Sequence, residues 1–277
     1  NNVSVINGAT NTVIASIAVG SDPDGAAFDS SNGYVYVPNY RSNSVSVING
    51  ATNTVIANIP VGTYPVGAVF DSSNGYVYIT NELSNIVSVI NGATNTVIAN
   101  ITFGKYLRGA AFDSSNGYVY VTNSNSNSVS VINGATNTVI ANIPVGFGPE
   151  GAVFDSSNGY VYITNELSNI VSVINGATNT VIANIPVGSN PVGAAFDSSN
   201  GYVYVTNSNS NNVSVINGAT NTVIANIPVG FGPEGAAFDS SNGYVYVTNE
   251  LSNSVSVING TTNMVIANIT VGSIPVG

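Results

Sequence analysis

The segment Phe-Asp-Ser-Ser-Asn-Gly-Tyr recurs with its aspartate at Asp29, Asp71, Asp113, Asp155, Asp197 and Asp239, a step of 42 residues every time. A strict period of this size overrides the two domains that 277 residues would otherwise suggest. Each copy has to be one supersecondary unit that buries its apolar face against the next copy. In the unit beginning at Gly67, four short β-branched and aromatic runs follow one another: Gly-Ala-Val-Phe-Asp (A), Tyr76-Val77-Tyr78-Ile79-Thr80 (B), Ile86-Val87-Ser88-Val89-Ile90 (C) and Thr96-Val97-Ile98-Ala99-Asn100-Ile101 (D). Ser72-Ser73-Asn74-Gly75 suits a type I turn with a left-handed glycine, and Asn91-Gly92 is a strong hairpin signal. Helical periodicity is absent, so the chain reads as all-β.

Proline recurs inside run D at Pro60, Pro144, Pro186 and Pro228. It cannot donate to a ladder, so D has to be an edge strand. Run A, small at its start, can approach a crowded axis. Seven repeats of a four-stranded antiparallel sheet with these two edges describe a seven-bladed β-propeller in a single domain, 1–277. A two-coil β-solenoid shares the period, but its parallel ladders do not call for hairpin turns. The Val-Ser-Val-Ile-Asn-Gly hairpin occurs seven times, from Val3 to Val255, and the Phe-Asp-Ser-Ser-Asn-Gly hairpin six times. Seven units of 42 make 294, which is 17 more than 277, the length of one A–B hairpin. Residues 1–20 then read as C and D of a closing blade, 21–272 as six repeats, and 273–277 as the start of the next. One blade is expected to be incomplete, with its hairpin lying further along a longer chain or supplied by a neighbouring subunit.

Tyr120-Val121-Thr122-Asn123, Tyr204-Val205-Thr206-Asn207 and Tyr246-Val247-Thr248-Asn249 resemble the YVTN-repeat β-propellers, named for that tetrapeptide. Tyr78-Ile79-Thr80-Asn81 and Tyr162-Ile163-Thr164-Asn165 are near matches, and Tyr36-Val37-Pro38-Asn39 departs at Thr. The resemblance covers essentially the whole chain. It implies the seven-bladed domains of archaeal surface-layer proteins, and it is specific for fold rather than for a biochemical role.

Composition removes several chemistries. The chain has no Cys and no His, which excludes Ser-His-Asp and Cys-His nucleophile systems, disulfides, and the usual zinc and haem ligands; no cofactor and no metal are expected. Three Lys+Arg stand against 13 Asp+Glu, a net charge of -10 that disfavours nucleic acid and anionic membrane surfaces as partners. No apolar run approaches the roughly 18 residues that span a bilayer, so direct membrane insertion by this segment is not expected.

Variation between copies is confined to the D–A segments (Ser21-Asp22-Pro23-Asp24, Thr63-Tyr64-Pro65-Val66, Lys105-Tyr106-Leu107-Arg108, Phe147-Gly148-Pro149-Glu150) and the B–C segments (Asn39-Tyr40-Arg41-Ser42, Asn81-Glu82-Leu83-Ser84). Antiparallel order puts both sets on one face and the A–B and C–D turns on the other. The candidate interaction face therefore comprises Asp22, Asp24, Tyr40, Arg41, Tyr64, Glu82, Lys105, Tyr106, Arg108, Phe147, Glu150, Glu166, Phe231, Glu234 and Glu250, set against the reading that these are drifting solvent loops. Glu82, Glu166 and Glu250 recur at 84 residues, a sign of duplication in two-blade units. With strands about 4.8 Å apart, those three carboxylates would stand about 20 Å from one another, too far to share a cation or an acid/base reaction. The repeated Asp at the end of run A is read as capping its own turn, ahead of a ring of cation ligands. The paired tyrosines of run B are read as inter-blade core.

Asn-X-Ser/Thr sequons stand at Asn2, Asn100, Asn212, Asn259 and Asn268. Asn100 and Asn268 lie on edge strand D, where Thr102 and Thr270 replace the proline, and are the preferred glycosylation candidates. These readings together lead to a non-enzymatic, extracellular or cell-surface module, structural or adhesive, with other surface proteins, glycans or copies of itself as partners. A propeller enzyme of the quinoprotein or lactonase kind with an axial site, and a cytosolic scaffold, are the alternatives. Because the 13 acids fall in turns and loops, stability is expected to change little with acid.

Overall fold

The computed structural model describes residues 1–104 and 106–277. The four runs form four strands in every complete copy, joined as successive hairpins, so each sheet is antiparallel with sequence order preserved from A to D. Six such blades cover 27–60, 65–102, 107–144, 149–186, 191–228 and 233–270; a seventh sheet holds two strands only, β1 (Asn2–Asn7) and β2 (Thr12–Ala18). These two are the C and D runs of the first copy. The chain packs as two compact units, Asn1–Val3 with Ser16–Pro144, and Ser4–Ala15 with Val145–Gly277.

In each blade strand A is one edge and strand D the other, as the prolines require. Strand D carries a bulge, between Val97 and Ala99 in the second blade, that leaves Ile98 exposed, and Pro144 ends its strand opposite Ser128. Glycines in strand A serve close approach. A Cβ on Gly193 would stand 2.3 Å from the carbonyl oxygen of Glu234 in the next blade, and one on Gly151 the same distance from that of Val192.

The threonine of the Tyr-Val-Thr-Asn run does more than fill strand B. Thr164 Oγ1 accepts from the backbone N–H of Gly151 in its own blade at 2.7 Å and donates to the carbonyl of Val192 in the next at 2.6 Å. Thr206 does the same for Gly193 and Glu234. The following asparagine ties B to C: Asn165 Nδ2 donates to Ser172 Oγ at 3.1 Å.

On the opposite face, within each unit, the A–B turn of one blade caps the C–D turn of the next. Asp29 Oδ1 accepts from Ser31 N–H and Oγ, Oδ2 accepts from Asn32 Nδ2, and that amide also donates to the carbonyl of Gly92, 60 residues on. Tyr36 donates its hydroxyl to Asn95 Oδ1 at 2.7 Å. The turn-capping reading of the aspartate is therefore what the structure shows, and its reach into the next blade is an addition.

One sequence expectation is corrected and one turn is refined. The Asn91-Gly92 turn forms as expected, with Asn95 (φ 54°) as its left-handed residue; Gly92 is needed because a Cβ there would meet Asp29 Oδ2 at 2.5 Å. The acids are also not all solvated. Asp29, Asp71, Asp113, Asp155 and Asp197 are fully buried and Glu82 nearly so, because the next blade closes over each strand end. Indifference to acid therefore does not follow from their position in the sequence.

The core is repeated at the blade contacts within each unit: Tyr36, Val45 and Val47 of the first blade pack with Val77, Ile79 and Ile90 of the second, and Tyr204, Val213 and Val215 of the fifth with Val245, Val247 and Ile258 of the sixth. Burial pushes the phenols of Tyr36, Tyr78, Tyr120, Tyr162 and Tyr204 up to about 12, with the neighbouring asparagine opposing and the turn aspartate adding.

Two outcomes follow. Asp155→Ala strips three donors of their acceptor, Ser157 N–H, Ser157 Oγ and Asn158 Nδ2, and should cost about 3 kcal/mol in urea unfolding; a loss under about 0.5 kcal/mol would show the cap to be dispensable. The tyrosines should make the fold alkali-sensitive. Below pH about 10 both states hold the proton; between about 10 and 12 only the folded state does, so stability falls as pH rises through that window. Phenolate absorbance at 295 nm should show five tyrosines ionising late and together with unfolding.

Candidate functional site

The varied loops are clipped to one another by backbone hydrogen bonds, which gives the face its rigidity. In the second blade Glu82 N–H donates to the Tyr64 carbonyl at 2.9 Å; in the fourth Leu167 N–H donates to Phe147 at 3.1 Å, and in the sixth Leu251 N–H donates to Phe231 at 3.1 Å. In the first, fourth, fifth and sixth blades a left-handed asparagine after the B–C loop reaches the next D–A loop, as Asn43 Oδ1 does in accepting from Tyr64 N–H at 3.0 Å. Both loop sets thus behave as extensions of the sheets.

In the first unit the charged and aromatic candidates converge. Tyr40 and Tyr64 stack with ring centroids 4.4 Å apart and planes 14° from parallel. Arg41 Nε lies 3.1 Å from Asp22 Oδ2 on the solvent side. Arg108, partly exposed, meets the buried Glu82 carboxylate through both terminal nitrogens at 3.4 Å. Burial raises the Tyr40 phenol, and a hydrogen bond to Glu82 adds to the effect.

Asp24 completes this cluster, for a reason visible in one substitution. Pro38 stands where the other five complete copies have threonine, so the first blade lacks the strand A–strand B link made in the second by Thr80 to Gly67. There Asp24 N–H donates to the Pro38 carbonyl at 2.9 Å, Gly25 turns to φ 72°, and strand A shortens to Ala27–Asp29. The side chain is left partly buried among charges. Burial pushes its carboxyl up to about 6, Arg108 opposes this, and Asp22 and Glu82 reinforce it.

The second unit carries a different surface. Phe147 is 64% and Leu167 70% exposed, and Phe231 and Leu251 repeat the pair one two-blade step on. Sequence reasoning missed the two leucines, although their recurrence opposite Phe-Gly at 84 residues was the available signal. Glu234, in strand A of the sixth blade, accepts from Ser208 Oγ at 3.1 Å; Glu150, in strand A of the fourth, is partly buried, as are Glu166 and Glu250 in the B–C segments. Tyr106 is exposed beside the first-unit cluster's Arg108 in sequence, and Lys105 lies outside the described residues. Among the described residues no three His, Cys, Asp or Glu side chains gather as metal ligands.

The sequons differ in geometry. Asn100 and Asn268 stand exposed on strand D, their Oδ1 atoms accepting from Ser88 and Ser256 Oγ at 2.9 and 2.8 Å. Asn2 uses its Nδ2 on Ser16 Oγ at 2.6 Å, Asn212 Oδ1 accepts from Asn207, and Asn259 Oδ1 caps the turn at Thr261.

No family model matches the chain, and no curated relative matches it. Among solved structures it is similar to hydrazine synthase of Kuenenia stuttgartiensis, with a TM-score of 0.82 and 21% identity over 93% of this chain and 89% of that one. The fold is a β-propeller. At this identity the likeness extends to the fold and no further.

The partly buried carboxyl of Asp24 gives a signed test. Its pKa is higher folded than unfolded, so the penalty for ionising it is absent below about pH 4 and complete above about 6. Asp24→Asn should raise the melting temperature at pH 7.5 and leave it unchanged at pH 3.5. An equal shift at both pH values would show that the carboxyl is not desolvated.

Proposed function

We propose that the chain is a non-enzymatic interaction module of a cell exterior, structural or adhesive in the manner of the YVTN-repeat surface-layer propellers that its repeats resemble. The reading rests on one observation: copies that are nearly identical elsewhere differ on a single face, and its loops are held rigid by backbone bonds. A surface already ordered before contact loses little entropy on binding. The first-unit cluster is the recognition patch. The Tyr40–Tyr64 stack offers an aromatic platform, and Arg41 with Asp22 beside it offers directional hydrogen bonds, a combination suited to a glycan or a peptide of another surface protein.

Asp24 favours a second reading, a propeller enzyme with a site near the inner strand ends. A carboxyl held near 6 beside a guanidinium is suited to acid/base work. The two readings separate cleanly. Surface labelling of unbroken source cells, with intact mass before and after deglycosylation, should find the protein outside and modified. Glycan-array and surface-protein binding should fall about tenfold or more in Tyr64→Ala and Arg41→Ala. A protein that labels only after lysis and turns over lactones in an Asp24-dependent way would replace the first reading with the second.

A further inference from the structure

The second unit holds acidic and apolar side chains on its varied face and no cation of its own. All three Lys and Arg residues of the chain, Arg41, Lys105 and Arg108, lie in the first unit. The consequence is sharpest at a motif that occurs in both units, the Glu-Leu of the B–C segment at Glu82-Leu83, Glu166-Leu167 and Glu250-Leu251. In the second blade the Glu82 carboxylate is buried and is met by Arg108 from the third. In the fourth blade the place of Arg108 belongs to Val192, since Thr164 donates to the Val192 carbonyl as Thr80 donates to that of Arg108. Glu166 therefore has a valine where Glu82 has a guanidinium, and both Glu166 and Glu250 stay partly exposed.

An apolar seat adjoins each of these two carboxylates. Among the described residues Phe147, Leu167, Phe231 and Leu251 are the four most exposed large apolar side chains. Glu166 N–H donates to the Gly148 carbonyl at 2.8 Å, next to the Leu167–Phe147 bond, and Glu250 repeats this on Gly232 at 2.8 Å. Gly148 and Gly232 are left-handed (φ 63° and 61°), and a Cβ on them would stand 2.8 and 2.9 Å from the Cγ of Leu167 and Leu251, so each leucine lies across a glycine. Backbone pairing and close packing fix both seats before any contact is made. In the second blade Thr63 stands in place of the phenylalanine, so that copy has neither the seat nor the open charge.

We propose that Glu166 with Phe147 and Leu167, and Glu250 with Phe231 and Leu251, are two equivalent docking sites for a basic segment of another protein. That segment seats an aliphatic side chain on the phenylalanine–leucine pair and gives the glutamate the Lys or Arg that Arg108 gives Glu82. The apolar contact supplies adhesion, and by excluding water beside the carboxylate it strengthens the ion pair that selects the partner. Two copies in one unit favour a partner that repeats the motif, because its second contact is then intramolecular. A second copy of this chain is the poorer occupant, since its Arg41 and Arg108 are already held by Asp22 and Glu82. The inference concerns the second unit and stands or falls separately from the first-unit patch.

The test titrates the 277-residue protein at low salt with an acetylated, amidated Gly-Lys-Leu-Lys-Gly peptide, following backbone amides by NMR. The amides of Leu167 and Leu251 should shift saturably, with two peptides per chain and half-saturation at about 1 mM or below; that of Leu83 should stay still. Val192→Arg, which rebuilds the arrangement of Arg108 on Glu82, should weaken binding at Leu167 by about tenfold and leave Leu251 unchanged. Glu166→Gln should do the same by removing the charge, with the parent's melting temperature. A Gly-Glu-Leu-Glu-Gly peptide should not bind. Absence of a saturable shift overturns the proposal, as does binding that either variant leaves intact, that the acidic peptide matches, or that moves Leu83 equally. Self-association of the protein without peptide, abolished when Glu166→Gln and Glu250→Gln are combined, would assign the seats to a second copy and overturn it as well.

Discussion

Everything in this molecule depends on one contact made between successive blades: an A–B turn reaching over the C–D turn of its neighbour. The aspartate, asparagine and tyrosine of one copy close on the glycine and asparagine of the next, as Asp29, Asn32 and Tyr36 do on Gly92 and Asn95. An isolated four-stranded sheet of this size would leave much apolar surface in water. The contact removes that surface and satisfies the buried polar groups in the same step, so the blade and its neighbour are stable together rather than separately.

A second set of bonds, on the inner side, comes from the threonine that links two strands A through its hydroxyl. Where Pro38 takes its place, the strand departs from the pattern and a carboxylate is left in a poor environment. A scaffold of near-identical copies can tolerate one such irregularity, since the packing of the other blades does not pass through it. The same tolerance lets the varied loops carry charges in one unit and exposed phenylalanine–leucine pairs in the other.

The two faces therefore differ in what substitution costs. On the turn face, changes at Asp155 or Gly218 disturb two blades at once, because a side chain at the glycine would meet the aspartate at 2.5 Å. On the loop face, clips between backbone atoms hold the shape and leave the side chains free to vary. A rigid frame with variable side chains is the arrangement from which recognition surfaces are made.

Much of this was legible in the residues themselves. The 42-residue period, the four runs and their turns, the proline-marked outer edge and the separation of invariant from varied faces follow from spacing and from proline's missing donor, which act locally. The turn role of the repeated aspartate was legible for the same reason. Other features depended on residues brought together from different copies. Gly92 reads as a turn residue until Asp29, 63 positions earlier, is placed against it; Asp24 reads as a loop acid until Pro38 and Arg108 define its surroundings. Sequence alone determined the blade, because a blade's rules are set by neighbours in the chain. Tertiary structure alone decided which carboxylates are buried, because burial depends on what the next blade covers.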